Sequence, residues 1–162
     1  MNLKLIYIFL IFSLLITAQN LKADNFYSYS LGQFDANDSY DSYEQRLEYL
    51  SNRVVVEKYD LKPFFGLMLN TDSGKYLYSG LRKDMKLSSK WNVTPSFAAG
   101  YYDRGSSKDL GHNLEFRGQI EFSYSLKKQN RVGISLNHIS NASIADTNPG
   151  TESIVFSLIK PF

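Results

Sequence analysis

The sequence predicts an all-β protein, an eight-stranded antiparallel transmembrane β-barrel of outer-membrane type. Three observations point there: an apolar export leader, a composition rich in Tyr and Phe with no Cys, and period-two alternation carried over long segments.

The leader comes first in the chain. Lys4 precedes the run 5–16, apolar but for Ser13, and Leu21-Lys22-Ala23 offers a small residue for cleavage before Asp24. A transmembrane helix needs about 20 apolar residues, and this run is much shorter. Residues 1–23 are therefore expected to be a signal peptide and 24–162 the barrel domain. Lys4 and Lys22 leave with the leader, so 18 basic residues become 16, against 16 acidic ones. A near-neutral chain argues against a nucleic-acid partner, whose phosphates call for a basic excess.

The 12 Tyr and 11 Phe stand against no Cys and only two His, so disulfides and thiolate metal sites are excluded and a histidine metal cluster is not expected. No cofactor is implied. The fold must then be held by an extended sheet rather than by staples.

The alternation is clearest over 114–127. Leu114, Phe116, Gly118, Ile120, Phe122, Tyr124 and Leu126 share one face; Glu115, Arg117, Gln119, Glu121, Ser123, Ser125 and Lys127 share the other. Strands of soluble sheets run about 5 to 6 residues. A longer strand, apolar on one side and charged on the other, suits a barrel with lipid outside and a polar interior. Strands are predicted near 26–35, 43–53, 61–71, 75–87, 91–103, 114–127, 131–141 and 151–162. Turn residues separate them, among them Asp35-Ala36-Asn37-Asp38, Asp72-Ser73-Gly74, Arg104-Gly105-Ser106-Ser107 and Asn148-Pro149-Gly150. The join at 54–60 carries the weakest pattern. The chain ends in FSLIKPF, an aromatic terminus of the kind that outer-membrane barrels place on their closing strand.

With both termini at the periplasmic side, the seventh strand climbs outward and the eighth descends. Val132, Ile134 and Leu136 then share a lipid-facing row with His138 and Ser140, and Ile154, Phe156 and Leu158 share one with Glu152. Residues two apart on a strand are roughly 6.6 to 6.8 Å apart, and neighbouring strands about 4.8 Å, so a hydroxyl, an imidazole and a carboxylate can meet on the outside of the barrel. Such a set can perform nucleophilic catalysis. A lone His or Ser at a strand end is ordinarily an interfacial polar residue; the joint pattern with Glu152 makes that bland reading the weaker one.

The stretch HISNASIADTNPGTES at 138–153, with PSFAAGYYD at 95–103 and LGHNLEFRG at 110–118, resembles the lipid A 3-O-deacylases, outer-membrane barrels that hydrolyse an ester-linked acyl chain of lipopolysaccharide. The resemblance covers roughly the last 70 residues; over 24–90 only the strand rhythm matches. It implies Ser140 as nucleophile, His138 as general base and Glu152 as the acid that orients the histidine. It also implies Asn141 and Asn148 as polar groups around the oxyanion, and Phe116 as an aromatic beside the site. The implied partner is lipid A in the outer leaflet, and whether two barrels pair as a homodimer is left open by the residues. Two other readings stand beside it: a structural or adhesive barrel without catalysis, and an esterase acting on a phospholipid. His112 falls in a polar loop and is expected to face solvent, and the acidic, Tyr-rich stretch 35–48 reads as an outer loop leading into the second strand, without metal-ligand spacing.

Overall fold

The computed structural model describes residues 25–38 and 42–162; the leader expected over 1–23 lies outside them. Among the described residues nine strands follow one another: β1 Phe26–Phe34, β2 Ser42–Leu50, β3 Lys62–Asn70, β4 Lys75–Arg82, β5 Met85–Lys86, β6 Trp91–Asp103, β7 Leu114–Ser125, β8 Arg131–Ser140 and β9 Thr151–Pro161. All pairings are antiparallel. The order β4-β3-β2-β1-β9-β8-β7-β6 closes on itself through β4 against β6, so no edge is left unpaired. β5 continues β4 along the same stretch of β6, and nine strands thus make the eight expected staves.

The single strand predicted over 75–87 is interrupted at 83–84, and the cause lies across the ladder. Lys75 to Arg82 and Met85 keep one common register on β6, which sets Lys83 opposite Pro95. Lys83 N–H donates to Pro95 O at 3.0 Å, but proline has no N–H to return. The last stretch predicted for β7 also differs, because Lys127–Gln129 forms a 3-10 turn. The uncertain join at 54–60 holds another such turn at Glu57–Tyr59, closed by a bridge between Val56 and Leu61.

Alternation sorts the side chains as expected. Glu115, Arg117, Glu121 and Ser123 on β7 are buried in the lumen, while Leu114, Ile120 and Phe122 are exposed outside. The exposed outer wall continues through Tyr29, Leu31, Leu67, Leu136 and Phe156. An apolar surface that wraps the whole sheet is what a lipid-facing barrel presents. Along β6 the band from Trp91 to Tyr101 covers ten residue rises, about 33 Å of strand, or about 25 Å of bilayer at the usual tilt. At the end bearing both termini an aromatic girdle marks its limit: Tyr27 stacks on Phe162 at 4.1 Å, Tyr49 on Phe65 at 5.3 Å, and Trp91 meets Tyr124 edge-on at 5.1 Å.

The lumen is filled. Arg117 donates to Glu48 at 3.0 Å and to Tyr78 Oη at 3.1 Å, while Tyr78 donates to the same Glu48 carboxylate at 2.9 Å. The guanidinium also lies over the rings of Tyr78 and Phe64. Arg46 pairs with Glu44 and donates to Asn137 Oδ1 at 2.6 Å. Nearer the terminal end, Asp84 gathers Arg82, Lys62 and Arg131. A void of about 20 Å³, room for one water, lies between the Arg117 and Asp84 clusters.

Candidate active site

The register of three strands assembles the outward-facing polar group. His138 on β8 lies opposite Glu152 on β9 and opposite Gly118 on β7; Ser140 lies opposite Phe116. His138 Nδ1 and Glu152 Oε1 are 2.9 Å apart, with side chains 55% and 45% exposed. Those exposures put the pair on the outer wall, since their strand neighbours Asn137 and Ser153 are buried inside. A carboxylate can only accept, so the contact places the ring proton on Nδ1 and leaves Nε2 as the basic nitrogen. Ser140 follows on the same outward row, half-buried, and its hydroxyl makes no hydrogen bond to the imidazole.

The β8–β9 loop is folded back over this group by Asn141. Its side chain is fully buried; both amide hydrogens are spent, on Leu110 O at 2.8 Å and Thr147 O at 2.7 Å, and its Oδ1 accepts from Ser143 N–H. Its backbone N–H donates to Asn148 Oδ1 at 3.0 Å. Ala142 and Ser143 adopt left-handed backbone, which reverses the chain just past Ser140. Asn148 is exposed, and its amide makes only a long contact, 3.4 Å, with Ser143 Oγ. Of the two asparagines, Asn141 acts as a clamp between loops and Asn148 retains donor capacity.

Phe116 stacks on Phe97 with centroids 6.0 Å apart and forms an aromatic wall beside Ser140. Gly118 leaves the opposite side open, since a Cβ there would meet no atom within 4 Å. An apolar groove runs down the outer wall from His138 and Glu152, lined by Gly118, Ile120, Phe122, Leu136 and Ile154.

Two supports of the site escape a reading of the sequence. Gly150 looks like a turn residue and is one, with φ of +64°, yet a Cβ on it would also sit 3.1 Å from His138 Cε1. Its lack of a side chain is what lets the imidazole occupy its place. Asp35, wholly buried and left-handed, accepts from Thr151 Oγ1 at 2.9 Å and from Lys108 Nζ at 2.7 Å, while the next residue, Ala36, donates its N–H to Glu152 O at 2.8 Å. The β1–β2 loop therefore holds the backbone of Glu152 in position. Burial pulls the Lys108 ammonium down, but Asp35 and Asp38 outweigh it and hold its pKa above the usual lysine value. His112 is exposed as expected, its Nδ1 accepting from Leu114 N–H. Among the described residues no group of three or more His, Asp or Glu is placed to hold a metal ion.

Residues 27–160 match the family model of PagL, the lipid A 3-O-deacylases. Among solved structures, the chain is similar to the crystal structure of the outer membrane enzyme PagL, with 16% identity, a TM-score of 0.66, and coverage of 85% of this chain and 99% of that one. It is also similar to a de novo designed transmembrane β-barrel, at 10% identity and TM-score 0.62 over 89% and 99% of the two chains. The Yersinia pestis outer membrane protein Ail in a phospholipid nanodisc follows, at 9% identity and 0.52 over 86% and 100%. No curated protein matches in sequence. At such identities the structural likeness speaks for the fold, and the family model speaks for descent.

Proposed function

The chain belongs to the lipid A 3-O-deacylase family of the bacterial outer membrane, and on that premise we propose that it hydrolyses the 3-O-linked acyl ester of lipid A with Ser140 as nucleophile, His138 as base and Glu152 as orienting acid. One observation carries the reading: the 2.9 Å contact of His138 with Glu152, turned toward lipid beside an apolar groove.

The reaction is acyl transfer to water. His138 Nε2 takes the proton of Ser140, and Oγ adds to the ester carbonyl carbon. Collapse of the tetrahedral intermediate expels the sugar 3-oxygen, which receives that proton from the imidazolium, and leaves an acyl-serine. Water, deprotonated by His138, then attacks the acyl-serine; the fatty acid leaves and Ser140 regains its proton. Glu152 keeps the tautomer and stabilises the imidazolium. The Asn148 amide is the donor available to the oxyanion, on a loop that Asn141 holds in place. Losing such a donor costs about 10²- to 10³-fold in rate. The acyl chain lies along the groove at Gly118, Ile120 and Leu136, reached by lateral diffusion from the outer leaflet. Hydroxyl and imidazole close to hydrogen-bond distance as substrate seats, a tightening common when free active sites bind.

The test is the folded Ser140→Ala chain incubated with defined lipid A and analysed by mass. Release of the 3-O-linked fatty acid should fall by about 10⁴-fold or more, with heat-modifiable migration on gels unchanged. Release at the native rate would end the proposal. Products drawn from added phospholipid instead of lipid A would keep the chemistry and move the substrate.

A further inference from the structure

The two turns nearest Trp91 carry a feature that the deacylase chemistry does not use. Lys86 and Lys90 flank the β5–β6 turn, Lys127 and Lys128 occupy the β7–β8 turn, and all four are exposed. Ser125 N–H donates to Lys90 O at 2.7 Å, which ties one turn to the other. Residues 85–92 and 123–132 contain no Asp or Glu. The adjoining acid, Asp84, is held in the lumen by Arg82, Lys62 and Arg131, and among the described residues none of the four lysines enters a salt bridge. At the loop end the acids meet basic partners, Asp109 with Arg104 and Asp35 and Asp38 with Lys108, and the other acids of the terminal end, Glu57 and Asp60, lie in the β2–β3 turn.

Height decides what these ammonium groups meet. Lys90 Nζ lies 5.7 Å above the ring of Tyr124, and Tyr124 packs against Trp91, so Lys90 stands at the level of the aromatic girdle and the other three lysines lie on the two turns joined to it. Girdles of this kind sit where hydrocarbon gives way to headgroups. Cations gathered there without counter-charges of their own attract anionic lipid phosphates, at about one fivefold step in affinity for each lysine near the surface.

We propose that Lys86, Lys90, Lys127 and Lys128 form a docking surface for anionic phospholipid headgroups in the leaflet at the terminal end of the barrel. The surface works independently of the esterase, and the chain's one tryptophan sits in its centre as a reporter. The full chain bearing Ser140→Ala is reconstituted in phosphatidylcholine bilayers containing brominated phosphatidylglycerol, or brominated phosphatidylcholine at the same fraction. Brominated phosphatidylglycerol should quench Trp91 as if enriched about fivefold or more next to it, the step for a single lysine being the lower bound. The preference should vanish in about 1 M salt, where the Debye length is near 3 Å, and in the Lys86→Gln, Lys90→Gln, Lys127→Gln, Lys128→Gln combination. If that combination fails to fold, Lys127→Gln with Lys128→Gln alone should reduce the preference. Equal quenching by the two lipids, or a preference untouched by the folded variants, overturns the proposal whatever the fate of the esterase.

Discussion

Asn137 and His138 are neighbours on β8 and live in opposite surroundings. Asn137 points into the lumen, buried, accepting from Arg46 and donating to Ser135. His138 points out, its Nδ1 on Glu152. The inner group belongs to a network in which arginines, carboxylates and a tyrosine hydroxyl from several strands pair with one another. The outer pair lies on a lipid-facing wall, where ionisable groups cost free energy in proportion to their depth. Polarity inside serves the fold; polarity outside is what the proposed chemistry accounts for.

Three substitutions test that division. Glu152→Gln should lower the rate of deacylation by about 10³- to 10⁴-fold, because the imidazolium loses its partner charge, while thermal unfolding followed by gel migration stays where it was. A rate within tenfold of the native one would place Glu152 outside the mechanism. Arg117→Met should do the reverse. It strands the Glu48 carboxylate in the lumen and should cost about 3 to 5 kcal/mol of stability, measured by urea unfolding in bilayers, with the rate per folded molecule unchanged. Gly150→Ala lies between the two: a Cβ 3.1 Å from the imidazole should displace the ring by a fraction of an ångström and reduce kcat by about 10- to 100-fold, with folding retained and KM little altered.

Most of the fold is readable from alternation, because a barrel wall enforces one period on every strand. Phe116, Gly118, Ile120 and Phe122 face outward as their spacing says, and the row of Val132, Ile134, Leu136 and His138 does the same. What escapes is information that lies across the ladder. Nothing in residues 83–84 announces a break; the missing N–H belongs to Pro95, eleven residues after Asp84. The candidate site divides in the same way. His138, Ser140 and Glu152 stand out through spacing and resemblance, and a register of one residue brings the histidine and the acid into contact. Gly150 as a seat for the imidazole, and Asp35 as an anchor for the strand that carries Glu152, depend on loops folding back, which no periodicity encodes. Asn141 shows the limit from the other side: its position attracts notice, but only the structure reveals that both of its amide hydrogens are committed to loop carbonyls.

The packed lumen has a consequence for the cell that makes this protein. With Arg46, Arg117, Tyr76 and Tyr78 crowding the interior, the molecule offers neither nutrient nor antibiotic a passage through the envelope. A barrel plugged in this way adds no pore to the membrane that carries it, and lipid meets it only on its outer wall.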